Sequence, residues 1–180
     1  VNKGVYTQPF FISRIEDENG NVIQQFVQET REALNEETAY VMLHMLKGTT
    51  EESGGTGMAL SRELRVNNEI AAKTGTTQNA SDGWFMGVTR DLAAGAWVGG
   101  DDRSIHFKYW AMGQGARTAM PIWEKFMTRV YADPTLGYEK GSFDRPIKPI
   151  SVELNCDEYK EVIQPTDSIS SELPSEDDFG

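Results

Sequence analysis

The sequence predicts an α+β fold in which an antiparallel sheet is flanked by helices, and three observations carry that prediction. Three short runs at residues 69–76, 83–89 and 93–98 follow one another through connections too short for anything but antiparallel neighbours, so they form a meander. Residues 116–132 repeat apolar side chains at helical spacing, with Ile122, Trp123, Phe126, Met127 and Val130 as the expected buried stripe. The first and third runs are rich in Ala and Gly, which lets a helix lie close to the sheet.

Each element has a local reason. Residues 10–15 and 21–27 are β-branched and aromatic runs around an Asn19-Gly20 turn signal, the pattern of a β-hairpin. Residues 36–47 read as a helix that Asn35 caps, with Glu36 and Glu37 at its positive end and Lys47-Gly48 at its close. Ala39, Met42, Leu43 and Leu46 form its expected buried stripe, and residues 49–59, with Ser53-Gly54-Gly55-Thr56-Gly57, are expected to be a mobile loop. In the second strand Trp84, Met86 and Val88 point to one face and Phe85 to the other. Pro121 is tolerated because it falls near the start of the last helix. Beyond residue 133 the periodicity fades, so residues 134–150 are expected to be a linker and residues 151–180 an acidic, disordered tail.

Composition narrows the function classes. The 180 residues suffice for one domain with a sizeable core. The net charge of -11 is uneven, since residues 1–150 carry 16 basic and 19 acidic side chains while residues 151–180 carry 1 and 9. No stretch offers the basic face that nucleic acid requires. Cys156 is the single cysteine, so an internal disulfide is impossible, and no cation or His beside it marks it as reactive. No apolar run approaches the ~18 residues of a membrane span, so neither a span nor an export signal is expected within these residues as given.

The chemistry concentrates in Ile70-Ala71-Ala72-Lys73-Thr74-Gly75-Thr76-Thr77. Lys73 offers an ammonium, Thr74 and Thr76 offer hydroxyl donors, and Gly75 permits close approach, a combination suited to a carboxylate beside a reacting carbonyl. In a flat strand Lys73 and Gly75 face one way and Thr74 and Thr76 the other, so they converge only at an edge where the Lys stem comes round the rim. The bland alternative for Lys73 is an exposed edge lysine that discourages aggregation.

Lys-Thr-Gly is also one of three elements of serine penicillin-binding proteins and β-lactamases. After it come Asp82-Gly83-Trp84-Phe85-Met86-Gly87-Val88-Thr89, Gly99-Gly100-Asp101-Asp102 and Ala119-Met120-Pro121-Ile122-Trp123. Before it come Pro9-Phe10-Phe11-Ile12-Ser13-Arg14-Ile15, Asn19-Gly20-Asn21-Val22-Ile23 and Glu37-Thr38-Ala39-Tyr40-Val41-Met42. In this order the blocks resemble the C-terminal part of the transpeptidase domain of class A, bifunctional penicillin-binding proteins, and the resemblance covers residues 9–131.

That resemblance implies a partial penicillin-binding, serine β-lactamase-like transpeptidase fold over residues 1–133. It also implies serine acyl transfer on the bond between two terminal D-alanines, with no metal or other cofactor. Lys73 would hold the donor carboxylate, Thr74 and Thr76 would hydrogen-bond it, Gly75 would line the subsite, and the Thr76 N–H would be an oxyanion donor. The implied partners are peptidoglycan stem peptides, β-lactams and the rest of the transpeptidase domain. Membrane attachment would come only through an N-terminal anchor upstream, with the protein outside the cytoplasmic membrane and a glycosyltransferase domain also upstream. Ser-x-x-Lys and Ser-x-Asn do not occur in this sequence, so the nucleophile is expected elsewhere and the isolated chain is expected to be inactive. The alternative is a catalytically inactive relative that serves as a binding or scaffold module. A β-lactamase fragment also contains Lys-Thr-Gly, but Gly99-Gly100-Asp101-Asp102 and Pro121-Ile122-Trp123 argue against it.

Other candidates have weaker support. Asp101 and Asp102 read as turn residues, His44 and His106 lack the neighbours of a metal site or triad, and Ser81-Asp82-Gly83 reads as hairpin loop. Met112-Gly113-Gln114-Gly115 stands where the resembling proteins have a Gly-rich turn before the last helix, and it is expected to border the substrate groove.

Overall fold

In the computed structural model, which describes residues 1–155, the chain begins with two separate antiparallel pairs. Strand β1 (Val5–Thr7) pairs with β4 (Thr30–Glu32), and between them β2 (Arg14–Glu16) pairs with β3 (Val22–Gln25). The expected hairpin is present. Asp17 organises its turn by accepting from the N–H groups of Asn19 and Asn21 and from the Asn21 amide, and these bonds hold its carboxyl below the usual aspartate range. The β1–β4 pair was not expected, because three-residue strands show no alternation to read.

Helix α1 (Glu36–Glu51) starts where expected: the Asn35 side chain accepts from the Thr38 N–H at 2.7 Å, and Glu36 and Glu37 occupy the first turn. It runs one turn further than expected. Gly48 does not end it, and Thr49 and Thr50 in the added turn send their hydroxyls to the carbonyls of Ala72 and Ile70, at 2.9 and 2.6 Å. The apolar stripe is only half-buried, and Met42 is exposed. The Gly-rich loop after α1 folds back on the helix end, where the Gly57 N–H donates to the Thr49 carbonyl at 2.7 Å. A short helix, α2 (Arg62–Arg65), follows and contributes Leu64 to the core beside Leu60.

The main sheet is the expected meander: β5 (Ala71–Thr76), β6 (Asp82–Val88) and β7 (Ala93–Gly99), antiparallel in the order β5-β6-β7. Directly opposed residues share a face, so Ala72, Thr74, Phe85, Gly87, Ala94 and Ala96 face one side and Lys73, Gly75, Trp84, Met86 and Trp97 the other. Helix α3 (Met120–Ala132) covers the first side. Trp123 packs edge-on to Phe85, with ring centroids 5.2 Å apart, and its indole N–H reaches the Ala94 carbonyl at 3.1 Å. The buried stripe of α3 is Met120, Trp123, Met127 and Val130, whereas Ile122 and Phe126, expected inside, are half-exposed. One sheet face admits a single narrow arc of helix, and those two residues fall on its flank.

Residues 134–150, expected as a linker, belong to the compact unit of residues 1–150. Asp133 and Gly137 frame a 3-10 turn at Pro134–Leu136, and the next stretch docks across the start of β5. The Gly141 carbonyl accepts from the Glu69 N–H at 2.9 Å, the Phe143 N–H donates to Glu69 Oε2 at 2.7 Å, and Phe143 is buried. Lys47 bonds the other Glu69 oxygen and lies 3.5 Å from Glu51. In a second unit that begins at Ser151, Glu153 Oε1 accepts from the Asn155 N–H at 2.7 Å. The expected disordered tail from residue 156 onward, with Cys156, lies outside the described residues.

Candidate active-site wall

The site candidates lie on β5, whose far side carries no further strand among the described residues. The carbonyls of Ile70 and Ala72 accept from Thr50 and Thr49, so this alternate set of backbone groups points away from β6. The set continues through Thr74 and Thr76, which places their N–H and C=O groups along the same rim. Strand alternation therefore leaves Thr76 with an N–H that β6 does not use.

Lys73 projects from the face shared with Trp84 and Met86, but its stem turns back and Nζ donates to the Thr74 carbonyl at 2.9 Å. Its ammonium thus sits at the rim and exposed. Thr74 Oγ1 stands 3.5 Å from Thr56 Oγ1 of the Gly-rich loop, and Gly75 lies under Trp84, where an added Cβ would come 3.2 Å from the Trp84 Cβ. Thr76 Oγ1 accepts from the Gly115 N–H at 3.0 Å. An ammonium, two hydroxyls and two edge N–H groups are therefore gathered along one strand margin, a set of donors with the chemistry to hold an anion.

The ends of the sheet are held by side chains. In the turn between β5 and β6, Thr77 Oγ1 accepts from the Asp82 N–H at 2.9 Å and bonds Ser81 Oγ at 3.0 Å, while Ser81 Oγ reaches Asp82 Oδ2 at 2.9 Å. Asp82 Oδ1 accepts from the Trp97 indole at 3.0 Å. Ser81 and Asp82 thus serve the hairpin, as read from the sequence. Asp102 closes the turn after β7 by accepting from the Ser104 N–H at 2.7 Å, and that bond lowers its carboxyl pKa. His106 Nδ1 bonds the neighbouring Phe107 carbonyl and takes no part at β5.

Sequence reasoning missed Thr49, Thr50 and Thr56, whose hydroxyls reach the β5 margin from α1 and the Gly-rich loop. Threonines in and after a helix carry no local signal that a strand lies beside them.

The family model of the penicillin binding protein transpeptidase domain matches residues 1–99, which include α1 and the whole β5-β6-β7 meander. The chain belongs to this transpeptidase family. Among curated relatives, penicillin-binding protein 1A of Aquifex aeolicus is 36% identical over 155 residues, 86% of this chain and 20% of the relative. The chain therefore spans about a fifth of that relative's length. Among solved structures, penicillin-binding protein 1A from Haemophilus influenzae shares the fold, with a TM-score of 0.63 and 21% identity over 82% of this chain and 26% of that one. The D,D-transpeptidase domain of a peptidoglycan glycosyltransferase from Eggerthella lenta aligns with a TM-score of 0.50 and 25% identity, covering 73% of this chain and 29% of that one. The class A family resemblance and the partial transpeptidase fold drawn from the residues are borne out.

Proposed function

We propose that this chain forms the carboxylate-binding and oxyanion wall of a peptidoglycan D,D-transpeptidase that also reacts with β-lactams. The observation that carries the proposal is the Lys73 ammonium turned back to the Thr74 carbonyl, beside the hydroxyls of Thr74 and Thr76 on the free margin of β5. In this reading Lys73, Thr74 and Thr76 hold the donor peptide's terminal carboxylate while Gly75 keeps the strand slim enough for the peptide to lie along it. The Thr76 N–H stabilises the oxyanion that forms when a serine from another part of the domain attacks the neighbouring carbonyl. The serine gains the acyl group, the terminal D-alanine leaves, and an amine of a second stem peptide then takes the acyl group and frees the serine.

Because Ser-x-x-Lys and Ser-x-Asn are absent from these 180 residues, the wall acts only within a complete transpeptidase domain. The substrates place that domain outside the cytoplasmic membrane, and among the described residues no helix is long and apolar enough to cross one. Attachment to the membrane and a companion glycosyltransferase are parts of the same proposal.

Labelling with a fluorescent penicillin tests it. The full-length protein that carries these residues should label covalently, and residues 1–155 alone should not. A full-length protein that folds but takes no label would instead support the inactive scaffold reading.

A further inference from the structure

The turn before α3 lies directly on the backbone of the sheet. A Cβ added to Gly115 would come 2.2 Å from the Trp84 carbonyl oxygen and 2.6 Å from that of Gly75. One added to Gly83 would meet Thr118 Oγ1 at 2.3 Å, and one added to Gly113 would meet the Ala80 Cβ at 2.6 Å. Three glycines thus let the turn sit against the end of β5 and β6 at a distance that no side chain would permit. In that position the Gly115 N–H points at Thr76 Oγ1, 3.0 Å away.

We infer that Gly115 is a positioning residue for the Thr76 hydroxyl, turning its proton toward the carboxylate of the substrate or of a β-lactam. The inference rests on the reading of β5 as the carboxylate-binding wall. A threonine hydroxyl has one proton and two lone pairs, and by itself it donates or accepts with equal ease. Once the Gly115 N–H occupies a lone pair, Oγ1 is held in one rotamer and its proton cannot point back at the turn. No described residue accepts that proton, so it is directed to the open margin. An accepted hydrogen bond also polarises the O–H and strengthens it as a donor.

The donor itself is held firmly. The Gly115 carbonyl accepts from the N–H groups of Ala119 and Met120 at 3.1 and 2.9 Å, and both of those residues are buried in the core with Trp123. The packing of α3 against the sheet therefore sets the orientation of a hydroxyl at the strand end, a role that contact with substrate alone would not reveal.

The test uses the full-length protein and compares second-order acylation by benzylpenicillin with that by its methyl ester, which lacks the carboxylate charge. The ratio of the two rates reads how well the wall grips a carboxylate. Gly115→Ala should lower that ratio about tenfold or more, as expected for a hydrogen bond to a charged group, and Thr76→Val should do the same. The double variant should fall no further than Thr76→Val, and Thr76→Ser should keep most of the ratio. Equal slowing of acid and ester in Gly115→Ala, or additive losses in the double variant, overturns the inference. Where Gly115→Ala melts too low to assay, Gly115 amide hydrogen exchange decides. Protection that is lost in Thr76→Val and kept in Thr76→Ser supports the contact, and protection unchanged in Thr76→Val overturns it. A wild-type protein that neither probe acylates overturns the wall reading itself and the inference with it, whereas a wild type that acylates with a ratio insensitive to Gly115 overturns only the positioning role.

Discussion

Thr50 donates its hydroxyl proton to the Ile70 carbonyl at 2.6 Å, and both residues are buried. The end of α1 thereby satisfies a backbone acceptor that an edge strand leaves without a partner. Thr50→Val keeps the shape and removes the donor. It should cost about 1–3 kcal/mol of stability, read by denaturant unfolding, because the Ile70 carbonyl stays buried without its bond. Thr50→Ser should cost much less.

Gly87 faces the Trp123 indole so closely that an added Cβ would come 2.3 Å from Cζ2. The near neighbour is a fully buried ring held by its own N–H bond to Ala94, so it has little freedom to yield. Gly87→Ala should therefore destabilise the fold by about 1–3 kcal/mol. Combining it with Trp123→Phe should give a smaller loss than the two single changes together, since the smaller ring removes the clash.

How much of this was legible in the sequence depends on the range of the contacts involved. The meander was readable because each strand follows its neighbour after a short turn, so local spacing and pairing say the same thing. The α3 stripe was readable in period but not in phase. Ile122 and Trp123 both fit a 3.6-residue repeat, and only the width of the sheet face decides that Trp123 is buried and Ile122 exposed. The β1–β4 pair and the docking of Phe143 were hidden because each joins segments far apart in the chain that have no pattern of their own. At the site, Lys-Thr-Gly-Thr announced itself as a motif, while the Gly115–Thr76 bond joins positions 39 residues apart and follows only from how α3 lies on the sheet.

Acid should release the Phe143 segment first. Burial would raise the Glu69 carboxyl, but hydrogen bonds from Lys47 and the Phe143 N–H, with the Lys47 charge, outweigh it and hold the pKa below its ordinary value of 4.5. A carboxylate whose pKa is depressed on folding stabilises fully above its unfolded pKa and loses that contribution as pH falls through the folded one. Thermal midpoints should then drop below about pH 4.5 in the wild type, and Glu69→Gln should flatten that part of the curve while lowering the midpoint at pH 7. For Lys47, burial opposes the charge, yet Glu69 and Glu51 raise its pKa, so its share should persist at neutral pH and be lost only above the ordinary lysine value of 10.5. An acid limb unchanged in Glu69→Gln would place the sensitivity elsewhere.

Lys73 should separate stability from reactivity. Its side chain is exposed and bonds only the carbonyl of the next residue, so Lys73→Met should move the thermal midpoint little, within about 0.5 kcal/mol. The same change should slow β-lactam acylation of the full-length protein about a hundredfold, because it removes the ammonium from a margin whose other donors among the described residues are neutral. Lys73→Arg should recover part of the rate, since a guanidinium keeps the charge but spreads it over a wider fork than a strand rim bonded at the Thr74 carbonyl accommodates. If Lys73→Met melted early and reacted normally, Lys73 would be an edge lysine that guards the strand, and the carboxylate would have to be held by Thr74 and Thr76 alone.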